Sequence, residues 1–279
     1  MNNPVPQSTP PQPAPTWART NLFRPWAVYG ILALTVFVFI LQNVSIYQLG
    51  DDFVTAWGDK VNTLITQGQL WRLVTPLLLH GSLIHIGFNM YALFVIGPGL
   101  ERYYGRLRFL LLYLLGGIAG NVASFYFSPY DSIGASTAIF GLIAAQGVFI
   151  YRNRQFFGAQ ARPMLINTLV IIGVNLLFGA SLNLVAGPGT PGIDNWGHVG
   201  GLFGGFAFAW FAGPLFERQT VLVDASQFPA GAFPAVETPL PQYAVRLVNK
   251  VSQDRAWLVA ALELAILAVL TLTRMVRFS

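Results

Sequence analysis

Four polar side chains set in apolar surroundings carry most of the chemistry this sequence offers: His85, Asn89, Ser136 and His198. A serine hydroxyl becomes a nucleophile only with a proton acceptor within hydrogen-bond reach, and His198 is the best base available. Ser136 lies in Gly134-Ala135-Ser136-Thr137-Ala138-Ile139-Phe140-Gly141, whose small residues let a polypeptide approach the hydroxyl. In the first turn of a helix it would also sit beside free backbone N–H groups that stabilise negative charge. His85 and Asn89 are four residues apart and share a helix face. An imidazole N–H and a carboxamide aimed at a developing oxyanion would supply charge stabilisation. Each residue also has a plainer use: a Ser at a helix start is commonly a cap, a lone His packs or bridges helices, and His85 with Asn89 can be a polar clamp. Their combination is what points to hydrolysis.

The remaining titratable groups narrow the chemistry. His80 precedes His85 by five residues, a rotation of ~140° on an ideal helix, so it is not expected on the His85 face and is placed in the preceding turn. Three His residues raise a zinc protease, but the His-Glu-x-x-His pairing that supplies adjacent ligands and a general base is missing. There is no Cys, which removes thiolate nucleophiles, disulfides and Cys-based metal sites. No metal and no cofactor is expected. Asp194, four residues before His198, either orients that imidazole as the acid of a three-member site does or stands in water above it. Glu263 is the one carboxylate expected deep in an apolar span, and it motivates a competing reading as a small transporter.

The elements that must position these residues are read from composition. Hydrophobic residues make up 54% of the 279 and charged residues 10%, against about 25% charged in soluble domains, which places the chain in a bilayer. Seven segments approach the roughly 20 residues a bilayer core requires: 26–42, 82–97, 109–127, 136–150, 164–184, 197–216 and 257–273. The first is too long for a signal-peptide core and lacks a cleavage pattern after it, so it is read as a retained helix. With the N-terminus cytoplasmic, twelve basic residues fall inside: Arg19, Arg24, Arg102, Arg106, Arg108, Arg152, Arg154, Arg162, Arg218, Arg246, Lys250 and Arg255. Only Lys60, Arg72, Arg274 and Arg277 fall outside, in agreement with the positive-inside rule. The second, fourth and sixth spans then begin at the outer surface, bringing His85 and Asn89, Ser136 and His198 to similar depth. A net charge of +5 without a basic stripe gives no footprint for nucleic acid.

The expected fold is therefore all-α: a six-helix bundle with one additional C-terminal helix. Residues 1–20 read as a disordered tail, 21–216 as the six-helix unit, 217–255 as a Pro-containing cytoplasmic linker and 256–279 as the seventh helix and C-terminus. The long outer connection 43–81 carries Phe53, Val54, Trp57 and an apolar run at 70–74, which suggests structure at the membrane interface. Gly197, Gly201 and Gly205 recur every four residues, as do Gly200 and Gly204, so the sixth helix can approach the fourth closely.

These residues resemble the rhomboid family of intramembrane serine proteases over roughly 71–205. Trp71-Arg72 is similar to the family's tryptophan-arginine pair, His80, His85 and Asn89 to its histidine-rich second helix, Gly134-Ala135-Ser136 to its nucleophile motif, and Gly197-His198 with Gly201 and Gly205 to its base motif. The additional helix resembles the seven-helix (6+1) subclass. The resemblance implies a Ser136–His198 dyad with no required acid, and an oxyanion held by His85 and Asn89. It implies a site recessed in the membrane and open to water from the outer face. The implied substrates are single-span membrane proteins, with membrane lipid the other partner, and a bacterial plasma membrane is the expected location. A relative that binds transmembrane segments without cutting them is the other function this pattern serves. Two residues depart from the family pattern: Thr137 stands where many members have Gly, and Gly197 where many have Ala. Thr137 adds a branched side chain beside the nucleophile and is expected either to alter residue preference or, as the second alternative, to lower activity.

Overall fold

The computed structural model describes residues 23–187, 192–223 and 242–278. The tail expected at 1–20, and Pro229, Pro234, Pro239 and Pro241 of the expected linker, lie outside the described residues.

Helix α1 (Trp26–Leu49) ends where Gly50 adopts a left-handed φ of 80°, a conformation that side-chain-bearing residues rarely reach. The following connection is structured, as its aromatic residues suggested. It holds two short helices, α2 (Phe53–Gly58) and α3 (Asn62–Thr66), and two 3-10 turns, Leu70–Leu73 and Thr75–Leu78. Helix α4 (Leu83–Tyr104) is started by the Ser82 hydroxyl, which accepts the His85 N–H at 3.1 Å, and runs through Pro98 to Gly105. Then come α5 (Arg106–Phe127), α6 (Ser136–Arg152), the single turn α7 (Arg154–Phe157) and α8 (Ala161–Ala186). Helix α9 (Asn195–Ala212) is capped by the Asp194 carboxylate, which accepts the Gly197 N–H at 2.9 Å. Its last residue, Ala212, is four before the expected end of the sixth span, because Pro214 cannot donate to a continued helix. Helix α10 (Gln253–Phe278) follows.

Among the described residues, five helical stretches are long and apolar enough to cross a membrane, those containing α1, α4, α5, α8 and α10. The described residues of the expected 217–255 linker include two strands. Strands β1 (Phe216–Val223) and β2 (Gln242–Asn249) pair antiparallel in a ribbon that brings α10 back to the end of α9, with Phe216 opposite Asn249. Apart from that ribbon the protein is an all-α, multi-pass membrane protein.

The core sits where α5, α6 and α9 meet. Backbone touches backbone there. A Cβ at Gly201 would overlap the Thr137 carbonyl, and one at Gly205 would overlap the Gly141 carbonyl, so α9 lies directly on α6. The other glycine row serves a second contact: a Cβ at Gly200 would collide with Ala123 and reach Ala119 O at 2.7 Å, and one at Gly204 would collide with Ala119. Small residues at such spacing allow the close dispersion contact that holds membrane helices together when no hydrophobic gain separates helix from lipid. By contrast α1, α8 and α10 expose most of their surfaces.

Candidate active site

Ser136 is the first residue of α6, and no side-chain hydrogen bond caps that helix. Its hydroxyl instead meets His198, with Oγ 2.9 Å from Nε2. His198 is on the first turn of α9, and the Gly201–Thr137 and Gly205–Gly141 contacts below it set the separation of the two helices. The imidazole is 7% exposed and stacks flat on Phe140, with centroids 4.1 Å apart and planes 9° apart. Phe140 is one turn along α6 from Ser136, so the helix that carries the hydroxyl also supplies the surface that orients the imidazole. Sequence reading missed this role; the signal available was an aromatic at i+4 from the serine.

Asp194 does not orient the ring. One carboxylate oxygen is occupied by the Gly197 N–H, while the other oxygen and His198 Nδ1 are both buried without a hydrogen-bond partner. Its part is that of a helix cap.

The segment leading to Ser136 is fixed from several sides. Gly134 has φ 129° and donates its N–H to Pro76 O at 2.9 Å. A Cβ there would stand 2.8 Å from His85 Nε2 and 3.7 Å from Ser136 Oγ, so the His85 ring and the serine hydroxyl flank the same glycine. Asn89 is buried one turn further along α4, and its amide donates to His85 O at 2.9 Å. The structure thus brings Ser136, His198 and His85 together, with Asn89 beneath His85.

His80 is closer to this assembly than its rotation from His85 implied. It precedes α4, so the helical angle does not apply. Its ring meets His85 edge-on at 4.9 Å, and its Nε2 accepts the Ala135 N–H at 3.5 Å. Gln42 of α1 holds its backbone on both sides, accepting His80 N–H at 3.1 Å and donating to His80 O at 3.2 Å. Burial, followed by the neighbouring His85, lowers the His80 pKa to about 4, so it stays neutral at pH 7 and serves as an acceptor.

Lys60 ties the connection after α1 to the same segment. It exchanges backbone hydrogen bonds with Ser132 at 3.0 and 3.2 Å, and its ammonium donates to Tyr130 O at 2.6 Å and Ser124 Oγ at 3.0 Å. Burial lowers its pKa, while Asp194 and Asp131 act against that shift. Arg72 braces the connection itself, bonding Asp59, the Ala56 carbonyl and Gln69, beside a Trp57–Trp71 stack.

Thr137 is buried and packs between helices. A Cβ at Gly120 of α5 would lie 2.6 Å from Thr137 Cβ, and one at Gly197 would lie 3.0 Å from Thr137 Cγ2. The two departures from the family pattern are therefore complementary, Gly197 leaving the room that Thr137 fills. Glu263 of α10 reaches the opposite face of α9, with Oε1 3.1 Å from where a Gly204 Cβ would be and both oxygens without a hydrogen-bond partner.

A helical bundle that buries a serine–imidazole contact inside membrane-crossing helices defines a small class of membrane proteins. Residues 67–215 match the Rhomboid domain model, and the chain belongs to the rhomboid family. It is 43% identical over 183 residues to rhomboid protease GluP of Bacillus subtilis, a match covering 66% of this chain and 34% of that protein. It is 36% identical over 165 residues to Rhomboid-like protease 1 of Toxoplasma gondii, covering 58% and 53% respectively. It is also 36% identical over 167 residues to RHOMBOID-like protein 7 of Arabidopsis thaliana, covering 59% and 49%. The chain thus spans a third to a half of the length of these relatives.

Proposed function

We propose that the chain is an intramembrane serine endopeptidase that cuts membrane proteins in or near their transmembrane segments. The observation that carries this reading is the 2.9 Å contact between His198 Nε2 and Ser136 Oγ, in a chain of a family whose relatives are named proteases.

The geometry supports the following course. With its proton on Nδ1, His198 presents a free Nε2 lone pair to the Ser136 hydroxyl. It takes the hydroxyl proton as Oγ attacks the peptide carbonyl, then gives it to the leaving amine. The Ser136 N–H, at the open first turn of α6, and the side chains of His85 and Asn89 hold the oxyanion. Asn89 leaves His85 O to do so, a change of partner within one side chain. Water then hydrolyses the ester. A dyad suffices because Phe140 and the glycine contacts orient the imidazole, the task an acid performs in a triad.

The wider reading follows from the same assignment. Substrates are single-span membrane proteins; the site opens to the outer side of a bacterial plasma membrane, and the N-terminus is cytoplasmic. Residues 21–216 form the catalytic unit, and α10 is the additional helix of a 6+1 arrangement. Incubating the purified chain and its Ser136→Ala form with single-span substrates, in detergent and in lipid, tests the proposal by intact mass. A cut made only by the serine form supports it. Cleavage that persists in a folded Ser136→Ala protein rejects the serine, and binding without cleavage by either form favours a non-catalytic receptor for transmembrane segments.

A further inference from the structure

Hydrogen bonds tie α8 to the segment that opens α9 at one end. Near the Ser136–His198 pair, Asn195 Nδ2 donates to Leu176 O at 3.2 Å, and Asn183 brackets Ile193 with bonds of 2.7 and 2.8 Å. Toward the other end the two helices part, and a groove of about 690 Å³ opens between them. Its floor is the face of α6 that carries Ala144 and Gly147, and its walls include Leu169 of α8 and Phe203 and Phe206 of α9. Gly147 keeps the floor low, since a Cβ there would already touch Thr168 Cγ2 at 3.4 Å. Ile172, the groove-lining residue of α8 nearest Leu176, is four residues, about 6 Å, along the helix from it, so the groove begins about one turn below the asparagine bonds and runs away from the Ser136–His198 pair.

The end of the groove is different in kind. Tyr151 and Trp210 stack there at 6.1 Å; the Arg154 guanidinium lies 5.0 Å over Tyr151, and that of Arg152 lies 6.0 Å over Trp210. Arg152 is engaged with the carbonyls of Ala209, Trp210 and Gly213 that end α9. Arg154 and Arg162 are exposed, and Arg162 is three residues from the groove-lining Leu165, on the same side of α8. No acidic residue lines the groove. A long apolar channel that ends in an aromatic pair and exposed guanidinium groups matches one kind of molecule: a chain of hydrocarbon tipped by a phosphate.

We propose that this groove holds an acyl chain of an anionic phospholipid, with the lipid phosphate on Arg154 and Arg162. The bound chain fills the space between α8 and α9 and acts as a removable part of the bundle. Substrate segments approaching the pair would meet a wall completed by lipid on this side.

The test uses the full chain in phosphatidylcholine nanodiscs with rising fractions of bromine-labelled acyl chains, which quench a tryptophan on contact. Subtracting the emission of Trp210→Phe isolates Trp210. The expected result is saturable quenching by brominated phosphatidylglycerol, half complete at about tenfold lower mole fraction than with brominated phosphatidylcholine, as two basic groups near one phosphate would give. Arg154→Gln with Arg162→Gln, both exposed and tolerable to the fold, should remove that preference while leaving the emission spectrum unchanged. Equal quenching by both lipids overturns the proposal in favour of ordinary surrounding lipid. So does an anionic preference that survives the double substitution. Shielding of Trp210 from both lipids, lifted or shifted by a transmembrane peptide, would assign the groove to a polypeptide instead.

Discussion

Helices α8 and α9 both flank α6, but they are held in different ways. Helix α9 meets α6 and α5 through glycines whose missing Cβ atoms leave backbone against backbone. Helix α8 is held at one end by asparagine side chains and is otherwise largely exposed. Backbone-on-backbone contact leaves little room for displacement, so the position of His198 is closely coupled to that of Ser136, while α8, held through side chains that include Ile171 and Ile172, has the looser attachment. The proposed reaction needs close placement of a base, which the first kind of contact supplies, and the second kind leaves an element whose displacement would not disturb it.

The strongest way to break the comparison is to force α9 away from α6. Gly201→Val puts a branched side chain where the Thr137 carbonyl already stands. The separation of His198 and Ser136 must grow, and a displacement near 1 Å is expected to cost about a hundredfold or more in cleavage rate. Overpacking of this kind also costs roughly 1–3 kcal/mol of stability. Rates at saturating and subsaturating substrate check it, alongside thermal melting. Full activity would mean that the glycine row does not set the site.

A more discriminating test uses the pair in which this chain departs from its family pattern. Gly197→Ala introduces a Cβ 3.0 Å from Thr137 Cγ2 and 2.8 Å from an Asp194 carboxylate oxygen, and should lower stability and activity. Thr137→Gly empties the same space. The double substitution is expected to recover much of the loss, with a coupling of about 0.5–3 kcal/mol, the range found for residues in contact. Strict additivity in a double-mutant cycle would deny that the two residues share that space. Residue preference at the cut should change little in Thr137→Gly, because the side chain is packed between α5 and α9 and away from the hydroxyl.

These residues show which parts of the site could be read from sequence. The convergence of His85, Ser136 and His198 followed from counting crossings, since alternating spans put their N-terminal ends on one side. The close packing of α9 followed from glycine spacing, although spacing alone does not say which partner each row meets, and the second row turned out to face α5. The packing of Thr137 was not legible because the direction of a side chain on a buried helix depends on the vacancy opposite, here Gly120 and Gly197, which no local pattern states. His80 lies in the turn before the helix, as read, but its contact with the His85 ring was not legible, because a helical angle carried across Ser82, the residue that starts the helix, does not fix their separation. The ribbon of β1 and β2 was read as linker: its register depends on pairing strands separated by 18 residues of sequence, and its individual strands carry only weak alternation.

Acid should separate the end that holds Ser136 and His198 from the rest more gently. The His80 pKa is lowered to about 4 from its ordinary 6.5, so the folded protein binds fewer protons than the unfolded chain between those values. Stability is therefore expected to fall as pH drops from 6.5 toward 4 and to level off below. His80→Asn keeps a polar group near Ala135 and removes the titration. Melting temperatures from pH 7 to 4 should slope less for this variant, whereas parallel slopes would mean that other groups dominate.

The smallest effect is expected at the hinge-like end of α8. Asn195→Ala removes the bond to Leu176 O, worth about 0.5–1.5 kcal/mol, and leaves the glycine contacts of α9 intact. The melting temperature should drop slightly. Amide exchange should quicken in α8 and remain slow in α6 and α9, because opening α8 exposes few backbone contacts that α9 depends on. Uniform acceleration across all three helices would show that they open as one unit, and the distinction between a backbone-locked α9 and a side-chain-tethered α8 would fail. Selective exchange in α8 would place the freedom of this bundle on the helix beside the groove, where movement alters access to the Ser136–His198 pair without altering the pair itself.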